Sequence, residues 1–332
     1  MDNVPFVTNE TPHVLWDVNL KQTNLDFLNS IDCDYFSYVA EINTANIDKV
    51  NQHKAALSLL VGYSQGLETL FSLLCAAIQA PLGVAGWMVS YTNSDLRELV
   101  YKILHSQKIY TMLRGNPITW DLMAKYVHSY LSYEKEKLDG VQKEFGILWS
   151  RFADDFLDKN IYREYVSVKH GTRVRPGGVA LAVGLEDIPG QQASREKMFV
   201  IGSSEFGSTY YTKKPIIEGD KLNFQLCCES RNFNPENVAY GLLLLSNSIK
   251  NVIGFLKILN GVNPNECGFL APSDKRDFLK PWEKRVGLNH CSFSMNIQVE
   301  KKFLFSKKDV INFYVSKMSE SSEGKIDKTS LV

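Results

Sequence analysis

The sequence predicts a mainly α fold: a helical bundle with an inserted small antiparallel β region and a β-containing C-terminal tail. Three observations predict it. Apolar residues recur at spacings of three and four over much of residues 45–170. At Gly171 that period gives way to short β-prone runs between Gly/Pro turns, which last to Ser230. A strongly apolar helical run then returns between Asn234 and Gly261. Helices on both sides of the β region point to one bundle with an excursion rather than two independent domains. The predicted organisation is an irregular N-terminal arm over 1–44, the bundle over 45–262 with its insertion at 172–230, a C-terminal extension with a β-hairpin over 263–318, and a disordered tail over 319–332.

Each element has a local reason. Residues before about 43 mix aromatic and polar side chains without a period. Ala56, Leu59, Tyr63, Leu67, Leu70, Leu74 and Ile78 then form one apolar helix face. Thr69–Ser94 carries no charge and is long enough to span a bilayer, but Gln79, Pro81, Gly83 and Gly86 interrupt it. A buried helix, a break at Pro81 and a second short helix to Tyr91 are expected, and no membrane span. Ser94 reads as the N-cap of a helix to Leu113, and Pro117 opens another to Tyr130. The longest helix is expected from Ser132 to His170, closed by Gly171, with Val141, Phe145, Leu148, Phe152 and Phe156 as its stripe. Strands are expected at Val179–Val183, Met198–Ile201, Thr209–Thr212 and Leu222–Cys228. In the tail, Phe293, Met295, Ile297 and Val299 alternate as a strand does, Val310–Lys317 fits either class, and residues after Ser319 are polar.

Lys+Arg and Asp+Glu balance at 37 each, so nucleic acid or an anionic surface would have to be met by a local patch. The six cysteines form no C-x-x-C pair and no disulfide framework, which suits reduced thiols and a cytoplasmic protein. Cys227 and Cys228 adjoin in a predicted strand, where one faces each side. The six histidines make no H-x-H or H-E-x-x-H pair, so neither a metal nor a cofactor is expected.

Helix geometry singles out residues 163–170. In one unbroken helix, Arg163 lies within about 20° of Phe152 and Phe156, and His170 about another 20° round. Arg is always protonated and His titrates near neutrality, so the two suit a phosphodiester: charge stabilisation by one, proton transfer by the other. Arg173 and Arg175 follow as phosphate-binding candidates. Glu68 is the one charged residue between Ala55 and Ser94, and a lone carboxylate on an apolar helix needs a partner; Arg163 is the expected one. Two structural alternatives remain open: Glu68 facing solvent beside Gln65 and Ser72, and Arg163 with His170 simply complementing a helix C-terminus.

A helical bundle with Arg163-Glu164-Tyr165-Val166-Ser167-Val168-Lys169-His170 at the end of its last long helix resembles the HEPN superfamily, whose nuclease members share an Arg-x4–6-His motif. The resemblance covers roughly residues 45–170, plus the helix at 235–260. It implies a metal-independent endoribonuclease acting on RNA, commonly a homodimer, of the kind found in phage defence and toxin systems. Arg163 and His170 would be catalytic, with Glu68, Glu164 and Lys169 in support. The chain departs from the pattern at Glu164, where the family usually has Asn, Asp or His. The family also includes inactive members, so the alternative is a non-catalytic protein-interaction or RNA-binding module.

Overall fold

The structure, a computed structural model, describes residues 2–114, 117–131, 133–191, 193–283, 288–293 and 300–323. It is mostly helical with small antiparallel sheets.

The N-terminal segment is regular, contrary to the irregular arm expected. Strands β1 (Asp2–Thr8) and β2 (Thr11–Asp17) pair in full register from Asp2↔Asp17 to Thr8↔Thr11. Asn9 takes the left-handed conformation in their turn (φ 56°), which Asn tolerates. Pro5 and Pro12 argue against strands in the sequence, but in a two-stranded ribbon every strand is an edge, where Pro is allowed. Helices α1 (Leu20–Ser30) and α2 (Tyr35–Thr44) follow.

Helix α3 (Gln52–Gln79) is the interior helix, with Leu59, Leu67, Leu70 and Leu74 sealed from solvent. The chain breaks at Pro81, as expected, before α4 (Val84–Ser90). Asn24 and Asn260 pin this break by donating to the carbonyls of Leu82 and Pro81. Helix α5 (Asn93–Leu104) is capped two residues earlier than Ser94 suggests: Thr92 and Asp95 form a reciprocal capping box. It also stops well before Leu113, because Met112 leaves the helix to donate to the carbonyl of Ile78. Helix α6 (Trp120–Val127) is capped by Thr119 rather than opened by Pro117.

The predicted long helix is two helices. Helix α7 (Lys135–Leu157) ends at Asp158, whose extended backbone (ψ 125°) and carboxylate start α8 (Lys159–Lys169) by accepting from the backbone N–H groups of Asn160 and Ile161. Arg97 of α5 takes the freed carbonyls of Phe156 and Leu157 and lies over the Tyr162 ring at 4.3 Å. The break is therefore tertiary in origin, with no Gly or Pro to announce it.

The β excursion follows. Strands β3 (Val174–Pro176), β4 (Ala180–Gly184), β5 (Met198–Ser203), β6 (Gly207–Glu218) and β7 (Lys221–Asn232) contain the four predicted runs except for Val179, which precedes β4. Helix α9 (Pro235–Leu259), capped by Asn234 with Pro235 in its first turn, returns to lie along α3. Small residues allow the approach: a Cβ on Gly241 would stand 2.6 Å from the Tyr63 ring, and one on Gly66 would stand 3.0 Å from Leu245. Both α3 and α9 are long and apolar enough to cross a membrane, but 78% and 67% of those windows are buried inside the protein, as core helices are.

A short α10 (Lys280–Glu283) precedes β8 (His290–Phe293), which completes a four-stranded antiparallel sheet in the order β3-β6-β7-β8; β4 and β5 form a separate hairpin. The predicted alternation at Met295, Ile297 and Val299 lies outside the described residues. Helix α11 (Lys307–Glu323) replaces both the ambiguous stretch and the start of the expected disordered tail, whose remainder also lies outside them. All six cysteines are free.

Candidate functional site

The break at Asp158 changes what α8 presents. The single-helix azimuth puts Arg163 on the buried stripe; the separate α8 buries Glu164 instead, fully, and leaves Arg163 about half exposed. The four-stranded sheet explains why. Its register sorts side chains into two faces: Ser208, Tyr210 and Thr212 of β6 and Cys227, Glu229 and Arg231 of β7 share the face that meets α8. From this face Arg231 and Ser208 both bond the Glu164 carboxylate. Arg163 bonds Glu229 at 3.2 Å, and the Tyr210 hydroxyl donates to the carbonyl of Asn160.

The expected partnership of Glu68 with Arg163 is therefore corrected. Glu68 is partly exposed, lies 4.0 Å from Lys169 Nζ, and receives a long 3.5 Å hydrogen bond from the Tyr165 hydroxyl. His170 is the exposed C-cap of α8, its backbone N–H donating to Val166. Arg173 and Arg175 are exposed, and Arg175 sits on β3 opposite Thr209. Neither Arg163 nor His170 lines the cleft that opens on the α8 face of the sheet.

That cleft, about 470 Å³, opens where α7, β7, α9 and α10 meet. Arg151, Asp155, Asp158, Arg231 and His290 bring charge to it, and Leu60, Val238, Pro281 and Trp282 give it apolar walls. Asp155 receives the Tyr63 hydroxyl at 2.6 Å and the Trp282 indole N–H at 3.3 Å, both on Oδ2. Burial pushes the Asp155 carboxyl up to about 6, against the pull of those two donors and of Arg231. The Tyr63 hydroxyl is held well above its ordinary range by burial and then by Asp155. Burial also raises the Glu164 carboxyl. At Arg231 burial works against the charge, but Glu164 outweighs it and keeps the guanidinium protonated. His290 Nε2 stands 3.9 Å from Glu229 Oε2, and both atoms are buried without a hydrogen bond. Among the described residues no group of three His, Cys, Asp or Glu side chains is placed to hold a metal ion.

The sequence reasoning missed Asp155, Tyr63, Glu229, Arg231 and His290. Two signals for them exist. Asp155 lies between Phe152 and Phe156 on the apolar stripe of α7, and Cys227, Glu229 and Arg231 recur at the strand period on one face of β7.

The opposite face of the sheet is of another kind. Arg175, Thr209, Tyr211, Lys213, Pro215, Ile217, Phe224, Leu226, Cys228 and Ser230 share it by register. Tyr211, Ile217, Phe224 and Leu226 are 57–68% exposed there, whereas Ser230 at its base is covered. No Asp or Glu stands on this face among the described residues, and neither Arg175 nor Lys213 has a carboxylate partner there. Cys227 and Cys228 fall on opposite faces, as the alternation requires.

No family model, curated protein or solved structure matches the chain.

Proposed function

We propose that this chain is a non-catalytic RNA-binding module, in which a helical bundle carries a sheet whose outward face receives single-stranded RNA. One observation supports this reading above others: two exposed aromatic rings, Tyr211 and Phe224, share a face with the cations Arg175 and Lys213, which have no carboxylate partner among the described residues, and with no described carboxylate. Aromatic rings stack unpaired bases and cations meet the backbone phosphates, which together suit single strands better than a duplex. The absence of acid matters because the whole chain is neutral, so a polyanion must be met locally. Arg173, exposed just before β3, is a further candidate for a phosphate.

The cleaving alternative has weaker support. It requires Arg163 to leave Glu229, and it asks His170 to act from an exposed position at a helix end. Solvent access of this kind weakens electrostatic stabilisation of a phosphoryl transition state.

The test is fluorescence anisotropy with a labelled U-rich single strand and its duplex. The single strand is expected to bind more tightly, and Tyr211→Ala or Phe224→Ala each to cost about 1–3 kcal/mol of binding. Equal binding by the double variant, or no binding at low salt, overturns the reading. If the wild type instead cleaves the strand in EDTA and His170→Ala does not, the nuclease alternative replaces it.

A further inference from the structure

The cleft beside α7 lies on the other face of the sheet from the one assigned to RNA and carries its own chemistry. Arg231 spends Nε on Glu164, and its two terminal nitrogens bond no described residue although the side chain lines the cleft. Asp155 spends Oδ2 on Tyr63 and Trp282, while Oδ1 accepts from no described residue and is not among the sealed unpaired atoms. Here a donor fork and an acceptor oxygen of opposite charge line one cleft without forming an ion pair within 4.0 Å. Arg151 repeats the pattern: its guanidinium lies over the Trp282 ring at 5.2 Å and has no carboxylate partner among the described residues.

We propose that this cleft binds a small zwitterion, a free amino acid with an apolar side chain, with its carboxylate on Arg231 and its ammonium on Asp155. An oxyanion alone would face Asp155 and Asp158, and a cation alone would face Arg151 and Arg231. A ligand carrying both charges meets each with its complement. The apolar walls, Leu60, Val238, Pro281 and Trp282, set the side-chain class. The volume of about 470 Å³ falls within the range of small-molecule pockets. A bound ammonium would also pair directly with the buried Asp155, which forms no ion pair within 4.0 Å among the described residues, so binding weakens as that carboxyl gains its proton below about 6. The groups facing Asp155 are Tyr63 from α3, Arg151 and Asp158 from α7 and its end, Arg231 from β7, Trp282 from α10 and His290 from β8.

The experiment is calorimetric titration of the full chain with L-leucine and L-phenylalanine. For whichever binds, the same molecule is tested without its amine and without its carboxylate, 4-methylpentanoate and 3-methylbutylamine in the case of leucine. One amino acid is expected to bind, and each half-molecule to bind at least ~10-fold more weakly, the worth of one charge-assisted hydrogen bond. Asp155→Asn keeps an oxygen for Tyr63 and Trp282, so it should fold. It is expected to bind amino acid and amine-free acid equally and to lose the pH dependence. Binding of neither amino acid, or equal affinity of the wild type for the amine-free acid, overturns the proposal, and so does an Asp155→Asn protein that still prefers the amino acid. If that variant fails to fold, the half-molecule comparison on the wild type still decides. None of these outcomes bears on the RNA reading, which concerns the opposite face of the sheet.

Discussion

Asp155 stores a pH-dependent cost in the fold. Its carboxyl binds a proton more tightly when folded (about 6) than when unfolded (about 3.8), so its contribution to stability is fully present below the unfolded value and is lost as pH rises through the folded one. A gap of about two units corresponds to about 3 kcal/mol. Asp155→Asn keeps both donated hydrogen bonds on one oxygen and carries no charge. Between about pH 4 and pH 7 the wild type should lose about 3 kcal/mol relative to this variant in chemical denaturation; parallel stability curves would reject the assignment. Tyr63 sits under the same carboxylate and against Gly241, where a Cβ would stand 2.6 Å from its ring. Gly241→Ala should therefore cost about 1–3 kcal/mol by overpacking, read as a lower urea midpoint. The helical period that marks Phe152 and Phe156 as buried marks Asp155 as well, but a search for apolar residues passes over an acid on the stripe. Tyr63, an apolar-face residue in the sequence, acquires its polar role only when α3 meets α7.

Helix α8 meets the sheet through two charged pairs, Glu164 with Arg231 and Arg163 with Glu229. Glu164 is sealed, and its carboxylate is shared by Arg231 and Ser208. Glu164→Ala would leave Arg231 unpaired in that setting and should cost about 3–5 kcal/mol, whereas leucine at both positions should recover much of the loss. A single variant that melts with the wild type would show that the pair contributes nothing to the junction. Asp158→Ala should remove the α8 N-cap for about 1 kcal/mol, seen in the same denaturation series. At this scale the strands and the Asn234-capped helix were readable because turn residues, alternation and caps are written locally. The division of α7 from α8 was not, because its other half is Arg97, sixty residues away in the chain. That one misreading moved the burial from Glu164 to Arg163 and so moved the candidate site. The N-terminal hairpin was hidden for a different reason: its prolines are tolerated only because the ribbon has no interior strand.

If the outward face of the sheet binds RNA as proposed, a chain with no net charge should do so with a shallow salt dependence. Two to three phosphate contacts, from Arg173, Arg175 and Lys213, imply a slope of log K against log salt of roughly −1.4 to −2.1 for a single strand. A steeper slope would mean that a larger basic surface is at work, and no slope would remove the phosphate contacts altogether. The mainly helical class and the β excursion were legible from periodicity, whereas which face of the sheet looks outward depends on where α8 docks. The return of α9 onto α3 has a consequence for how the protein is made. The faces that α3 and α9 turn to each other are buried only when both are present, yet a ribosome releases them far apart in time. At about 5–20 residues per second, roughly 9–36 s separate the end of α3 from the end of α9. Through that interval the nascent chain carries a leucine-rich helix with one face uncovered. Chains truncated at Asn232 should aggregate or remain bound to a chaperone, and protease resistance of α3 should arise only once α9 has emerged. A soluble, folded truncation would show that the first half of the chain closes its core alone.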